Sequence, residues 1–150
     1  MANSDSVGQT TQDSFSNFRL GKVTATTLNT AANAVISIPF LSGGLTNGGA
    51  LANSGGVIIR RITVQNPSGS IASANVSISA TNNGANLITA NTVLSSINAV
   101  GQYQDITIAA PYTNTVVSGS VTQTLYVNIN TVSGNANTVD ICVWGDVVSF

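Results

Sequence analysis

The sequence predicts an all-β protein: an antiparallel β-sandwich of the jelly-roll kind, preceded by an extended N-terminal arm. Three observations carry that reading. Apolar residues recur with period two wherever a period can be followed, and clusters of Gly, Asn and Pro punctuate the chain at sandwich-like intervals. The charged residues that build exposed helices are nearly missing, with no Glu and one Lys in 150 residues. Charge is scarce altogether: four Lys or Arg stand against five Asp, and there is no His. In their place are 18 Ser, 18 Thr and 18 Asn, small polar side chains that suit the solvent face of a strand.

Residues 1–30 read as the arm and 31–150 as the sandwich. The arm holds four of the nine charges, Asp5, Asp13, Arg19 and Lys22, with an isolated aromatic pair, Phe15 and Phe18. Fully extended it reaches on the order of 100 Å. It is either a frayed terminus or an arm that docks Phe15 and Phe18 on a neighbouring surface.

Strands are expected at 34–40, 57–65, 71–80, 86–90, 102–109, 112–117, 124–131 and 138–149. In 34–40, Ile36 and Ile38 share one face; in 71–80, Ala74, Val76, Ile78 and Ala80 alternate with Asn75, Ser77 and Ser79. Ile106 and Ile108 share a face, as do Leu125, Val127 and Ile129, leaving Tyr126, Asn128 and Asn130 outside. The turns are SGGLTNGG at 42–49, NSGG at 53–56, NPSGS at 66–70, TNNG at 81–84 and SGNAN at 133–137. Seven or eight short strands fit a jelly roll better than an immunoglobulin domain, because paired cysteines flanking a Trp are absent.

Two stretches stand out. In VIIRRITVQ, Val57 and Ile59 share one parity while Ile62 and Val64 share the other. A β-bulge at Arg60 and Arg61 restores a single buried face and turns a guanidinium outward, either as a solvated pair or to meet carboxylates on a partner. In TVDICVWGDVVSF, Val139, Ile141, Val143 and Val147 form the core face and leave Asp140, Cys142, Trp144, Asp146 and Val148 on the other. A Trp and a Cys on a nominally exposed face imply a cover, from the arm or from a neighbouring protomer.

Few chemistries fit these residues. With no His or Glu, acid–base work falls to Asp, Lys22 or Tyr, and Asp140 and Asp146 lie about 20 Å apart along one strand, too far for a glycosidase pair. One Cys and no His exclude a structural zinc site, and the Gly-rich loops lack the Lys of a phosphate cradle. A net charge of −1 removes the footprint of non-specific nucleic-acid binding. The N-terminus has no basic n-region or apolar run of a secretory signal, and no stretch approaches the ~20 apolar residues of a membrane helix. The expectation is a soluble structural or binding protein made in a cytoplasm, with no cofactor, metal or small-molecule substrate.

YQDITIAAPYTNT followed by TLYVNINTVSGNANTVDICVWGD, within residues 55–149, resembles the jelly-roll decoration (cement) proteins of tailed-bacteriophage capsids. The similarity lies in a Tyr-x-Asp strand with a small-residue turn, a Leu-Tyr-Val strand, a Ser-Gly hairpin and a closing strand ending in Gly-Asp. It implies a homotrimer on the virion surface, bound to the major capsid protein, with an arm reaching across subunits. The interface candidates are then Phe15, Phe18, Arg19, Arg60, Arg61 and Trp144. The rival reading is a tail-fibre or adhesin tip that binds a host glycan, with Tyr103, Tyr112, Tyr126 or Trp144 as stacking platforms.

Overall fold

Strands form where β-branched residues alternate with small polar ones, and Gly, Asn and Pro end them. The computed structural model describes residues 18–30, 35–39, 55–113, 115–118 and 124–149. Among these are nine strands: β1 (Phe18–Thr27), β2 (Val35–Pro39), β3 (Gly55–Gln65), β4 (Asn75–Ser79), β5 (Thr92–Val93), β6 (Gln104–Ile106), β7 (Val116–Ser118), β8 (Thr124–Thr131) and β9 (Thr138–Ser149). One sheet runs β1-β9-β3-β6, with β7 pairing farther along the same edge of β3; the other runs β2-β8-β4-β5. Every pairing is antiparallel.

With β6 and β7 counted as one broken strand, the partners nest: first with last, second with second-last, β3 with β6/β7, and β4 with β5. That nesting, divided between two sheets, is jelly-roll connectivity. Leu20, Ile59, Ile62, Val64, Val139, Ile141 and Val143 from one sheet meet Ile38, Val76, Ile78, Leu125, Val127 and Ile129 from the other, all buried. Leu28, Ile71, Ile88, Leu94 and Ile97, from the connections, are buried in the same core.

Along β3 the buried apolar positions are Val57, Ile59, Ile62 and Val64, a spacing that a regular strand cannot place on one face. The pairing with β9 slips by one residue between Ile59, opposite Gly145, and Arg61, opposite Trp144. Arg60 is the extra residue, so the expected bulge is present and both arginines are exposed. The partner residue must be glycine. A Cβ at Gly145 would collide with the Ile58 carbonyl oxygen and come within 2.9 Å of Leu20 Cδ1.

Residues 18–27, assigned from sequence to the arm, are instead the edge strand β1, paired with β9 from Phe18 opposite Gly145 to Thr27 opposite Thr138. Phe15 lies outside the described residues, as do the turn at 42–49 and the start of the turn at 53–56. The strand expected at 86–90 reduces to single bridges at Leu87 and Thr89, because Asn86 adopts φ 53° and breaks the extended run. The expected strand 71–80 begins only at Asn75, since a turn from Ile71 to Ala74 precedes it. Tyr112 lies in a short 3-10 turn, Ala110–Tyr112, and the strand expected at 112–117 starts at Val116.

Gly145→Ala should lower unfolding stability by about 2 kcal/mol or more in a urea titration, the cost of forcing atoms into a filled site. Wild-type stability in that variant would contradict the close approach.

Candidate functional site

Side chains directly opposite each other in an antiparallel pair point to the same face, so the register assigns every described charge. Lys22, Cys142, Thr63 and Asp105 form one row across β1, β9, β3 and β6. Arg19, Trp144 and Arg61 form the next, Asp140 lies opposite Gln65, and Asp146 opposite Ile58. Cys142 and Trp144 alternate with the buried Ile141, Val143 and Gly145, which makes these rows the outer face. Arg60, at the bulge, reaches Asp146 on the same side. The outer face of one sheet thus carries all seven charges of the described residues, and the other sheet carries none.

Three ion pairs tie the face together: Lys22 Nζ to Asp140 Oδ2 at 3.1 Å, Arg60 Nε to Asp146 Oδ2 at 2.7 Å and Arg61 Nε to Asp105 Oδ1 at 2.9 Å. Each carboxylate holds its own cation. Thr63 Oγ1 also donates to Asp105 Oδ1, and that hydrogen-bonded carboxylate holds the Arg61 guanidinium above its ordinary pKa. Among the described residues no three His, Cys, Asp or Glu side chains cluster as a metal site.

Asp140 is the most embedded of the carboxylates. Its oxygens accept from the Ala25 N–H at 2.9 Å and from Asn66 Nδ2 at 2.8 Å, besides the Lys22 ammonium. Ala25 and Asn66 both have positive φ, 49° and 51°, so Asp140 clamps two strained residues on either side of β9. Desolvation pushes this carboxyl up, but the hydrogen bonds from Asn66, Ala25 and Lys22 outweigh it and hold the pKa below the usual value.

Trp144 is half-buried between Arg19 and Arg61, so the adjacent strands of its own sheet flank it, and Cys142 is fully buried between Lys22 and Thr63. Burial raises the Cys142 thiol pKa. Trp144 Nε1 is enclosed with no hydrogen-bond partner among the described residues. Arg19 is exposed and belongs to none of the three ion pairs. Of the sequence candidates, Arg19, Arg61 and Trp144 therefore share a row with Arg60 beside it, Phe18 opens β1 on its flank, and Phe15 lies outside the described residues.

Sequence reasoning missed the second sheet's outer face. Ser77, Ser79 and Asn128, expected in solvent, are buried, because the 81–91 connection folds over them. Asn128 Nδ2 donates to Ser79 Oγ at 2.9 Å, and Asn130 Nδ2 donates to Ser77 Oγ at 3.2 Å and Asn91 Oδ1 at 3.3 Å. A Cβ at Gly84, where φ is 77°, would stand 3.5 Å from Asn128 Oδ1. A groove of about 250 Å³ runs along this uncharged layer between Val35, Leu87, Asn91 and Asn130. Val35, Leu87 and Val93 are all exposed, and the pairings Val35–Asn128, Leu87–Ser79 and Val93–Asn75 put them on the outer side. No family model, curated protein or solved structure matches the chain.

The depressed Asp140 value fixes the sign of a pH effect: its stabilisation is complete above the unfolded value, near 3.8, and is lost as the pH falls through the lower folded value. Urea unfolding should show stability declining on acidification below about pH 4. Asp140→Asn should flatten that decline and cost about 1–2 kcal/mol at neutral pH, where Lys22 loses its partner. An acid slope that survives the substitution would assign it to other groups.

Proposed function

We propose that this chain is a structural, non-catalytic protein of a bacteriophage virion. It decorates the outside of the capsid, binds the major capsid protein across subunit junctions as a homotrimer, and stabilises the shell. The observation that carries the reading is the segregation of charge between the two sheets. The cores of protein interfaces are depleted in charged side chains, because each must be stripped of water. The uncharged surface that the 81–91 connection lays over this sheet, with exposed Asn82, Asn83 and Asn91 and three exposed aliphatic anchors, Val35, Leu87 and Val93, meets that requirement. Binding only the assembled lattice stabilises it by mass action, and no reactive group is needed. The jelly-roll connectivity and the sequence resemblance to decoration proteins support the same reading.

The test is electron microscopy of particles that carry the protein, together with binding of variants to purified shells. Density is expected at threefold or quasi-threefold positions of the capsid, with the β2-β8-β4-β5 sheet toward the shell. Leu87→Asp and Val93→Asp should each weaken shell binding by at least about tenfold, roughly 1.4 kcal/mol, whereas Arg60→Ala should leave it unchanged, because the sequence candidates Arg19, Arg60, Arg61 and Trp144 lie on the outer face of the opposite sheet. Density confined to the tail would overturn the assignment.

A further inference from the structure

The outer face of the charged sheet carries a hollow of about 330 Å³ where β3 meets the approach to β6, lined by Arg61, Thr63, Gln65, Asn66, Gln102 and Tyr103. We propose that this hollow is a binding site for one neutral saccharide ring, stacked on Tyr103. The site lies on the sheet opposite the proposed shell-docking face, so it constitutes a separate activity. A protein seated on a particle would present it outward.

Tyr103 is 60% exposed, and its ring borders a hollow whose other walls are polar. An aromatic face beside hydroxyl and amide groups matches a sugar ring, which has an apolar C–H face and a polar rim. The ring stands between two anchored neighbours. Gln102 Oε1 accepts from the N–H groups of Asn98 and Ala99 at 2.7 and 2.9 Å. Gln104 accepts from Ser96 N–H at 3.0 Å and donates to the Val93 carbonyl at 2.9 Å. Such fixing reduces the ordering cost of binding. Gly101, with φ 83°, forms an open rim: a Cβ there would meet nothing within 4 Å.

The polar groups are of the type a sugar hydroxyl needs, which is both donor and acceptor. Gln102 Nε2 and the Gln65 amide make no hydrogen bond among the described residues, and Asn66, whose Nδ2 is engaged by Asp140, keeps its Oδ1 as an acceptor. Charge selects the neutral class. The Arg61 guanidinium lies over one face of the Tyr103 ring, 6.0 Å from its centroid, which leaves the other face for the sugar; it is already paired with Asp105 at 2.9 Å, so the hollow offers an anion no uncompensated cation. Its volume is at the lower end for small-molecule sites and suits one ring rather than a long oligosaccharide.

The test is an NMR titration of the full chain, following backbone amide shifts, with the methyl glycosides of glucose, galactose, mannose and N-acetylglucosamine. At least one of the four should shift Thr63, Asn66, Gln102 and Tyr103 selectively, with a dissociation constant in the millimolar range. Tyr103→Ala should weaken that response at least tenfold and Tyr103→Trp should retain it, both with unchanged thermal unfolding, since the side chain is exposed. No shift with any of the four sugars, or shifts that persist in Tyr103→Ala, would overturn the proposal. Shell binding by Tyr103→Ala should match wild type, so failure here and failure of the decoration reading are separately visible.

Discussion

The contact on which the arrangement depends is the approach of the Ile58 carbonyl to Gly145, at the point where β3 carries one residue more than β9. Glycine permits the approach because no Cβ stands in the way. The extra residue, Arg60, brings Val57 and Ile59 onto the same buried face as Ile62 and Val64. It also turns two consecutive arginines outward, toward Asp146 and Asp105. A single backbone irregularity thus serves both the core and the charged face.

Concentrating charge on one sheet makes the molecule two-faced. Isolated surface ion pairs contribute little to stability, about 0–1 kcal/mol each, and the Arg61–Asp105 pair is about half exposed. Asp140 differs because it is embedded and its hydrogen bonds hold strained backbone in place, the left-handed Ala25 and Asn66. The uncharged sheet is held by another device, amide side chains of β8 bonded to serines of β4. Those bonds bury polar atoms without charge, which keeps the desolvation cost of a contact on that side low.

Much of this was legible in the sequence, for identifiable reasons. The parity switch in VIIRRITVQ locates the bulge because burial demands one face and only an inserted residue reconciles the two phases. Alternation located the inner residues of β4 and β8 for the same reason. β1 was not legible: its register slips at Arg19/Gly21 and Val23/Thr26 break the period that would have announced a strand, and its two cations read as an arm. The burial of Ser77, Ser79 and Asn128 was hidden because alternation tells which face a residue occupies, not whether a connection folds over that face. Ion-pair partners 44 to 118 residues apart, such as Arg61–Asp105 and Lys22–Asp140, follow from sheet order, which local pattern does not encode.

Deleting Arg60 and substituting Gly145 by Ala, singly and together, tests the link between the bulge and the glycine most directly. Removing Arg60 leaves Ile59 and Arg61 adjacent with regular alternation, so the deletion variant should fold and its β3 should lack the bulge. Without the bulge the Ile58 carbonyl no longer presses on residue 145, and the cost of Gly145→Ala in urea unfolding should shrink by at least about 1 kcal/mol in the deletion background. Equal costs in both backgrounds would mean that the glycine and the bulge are independent, and would contradict the account.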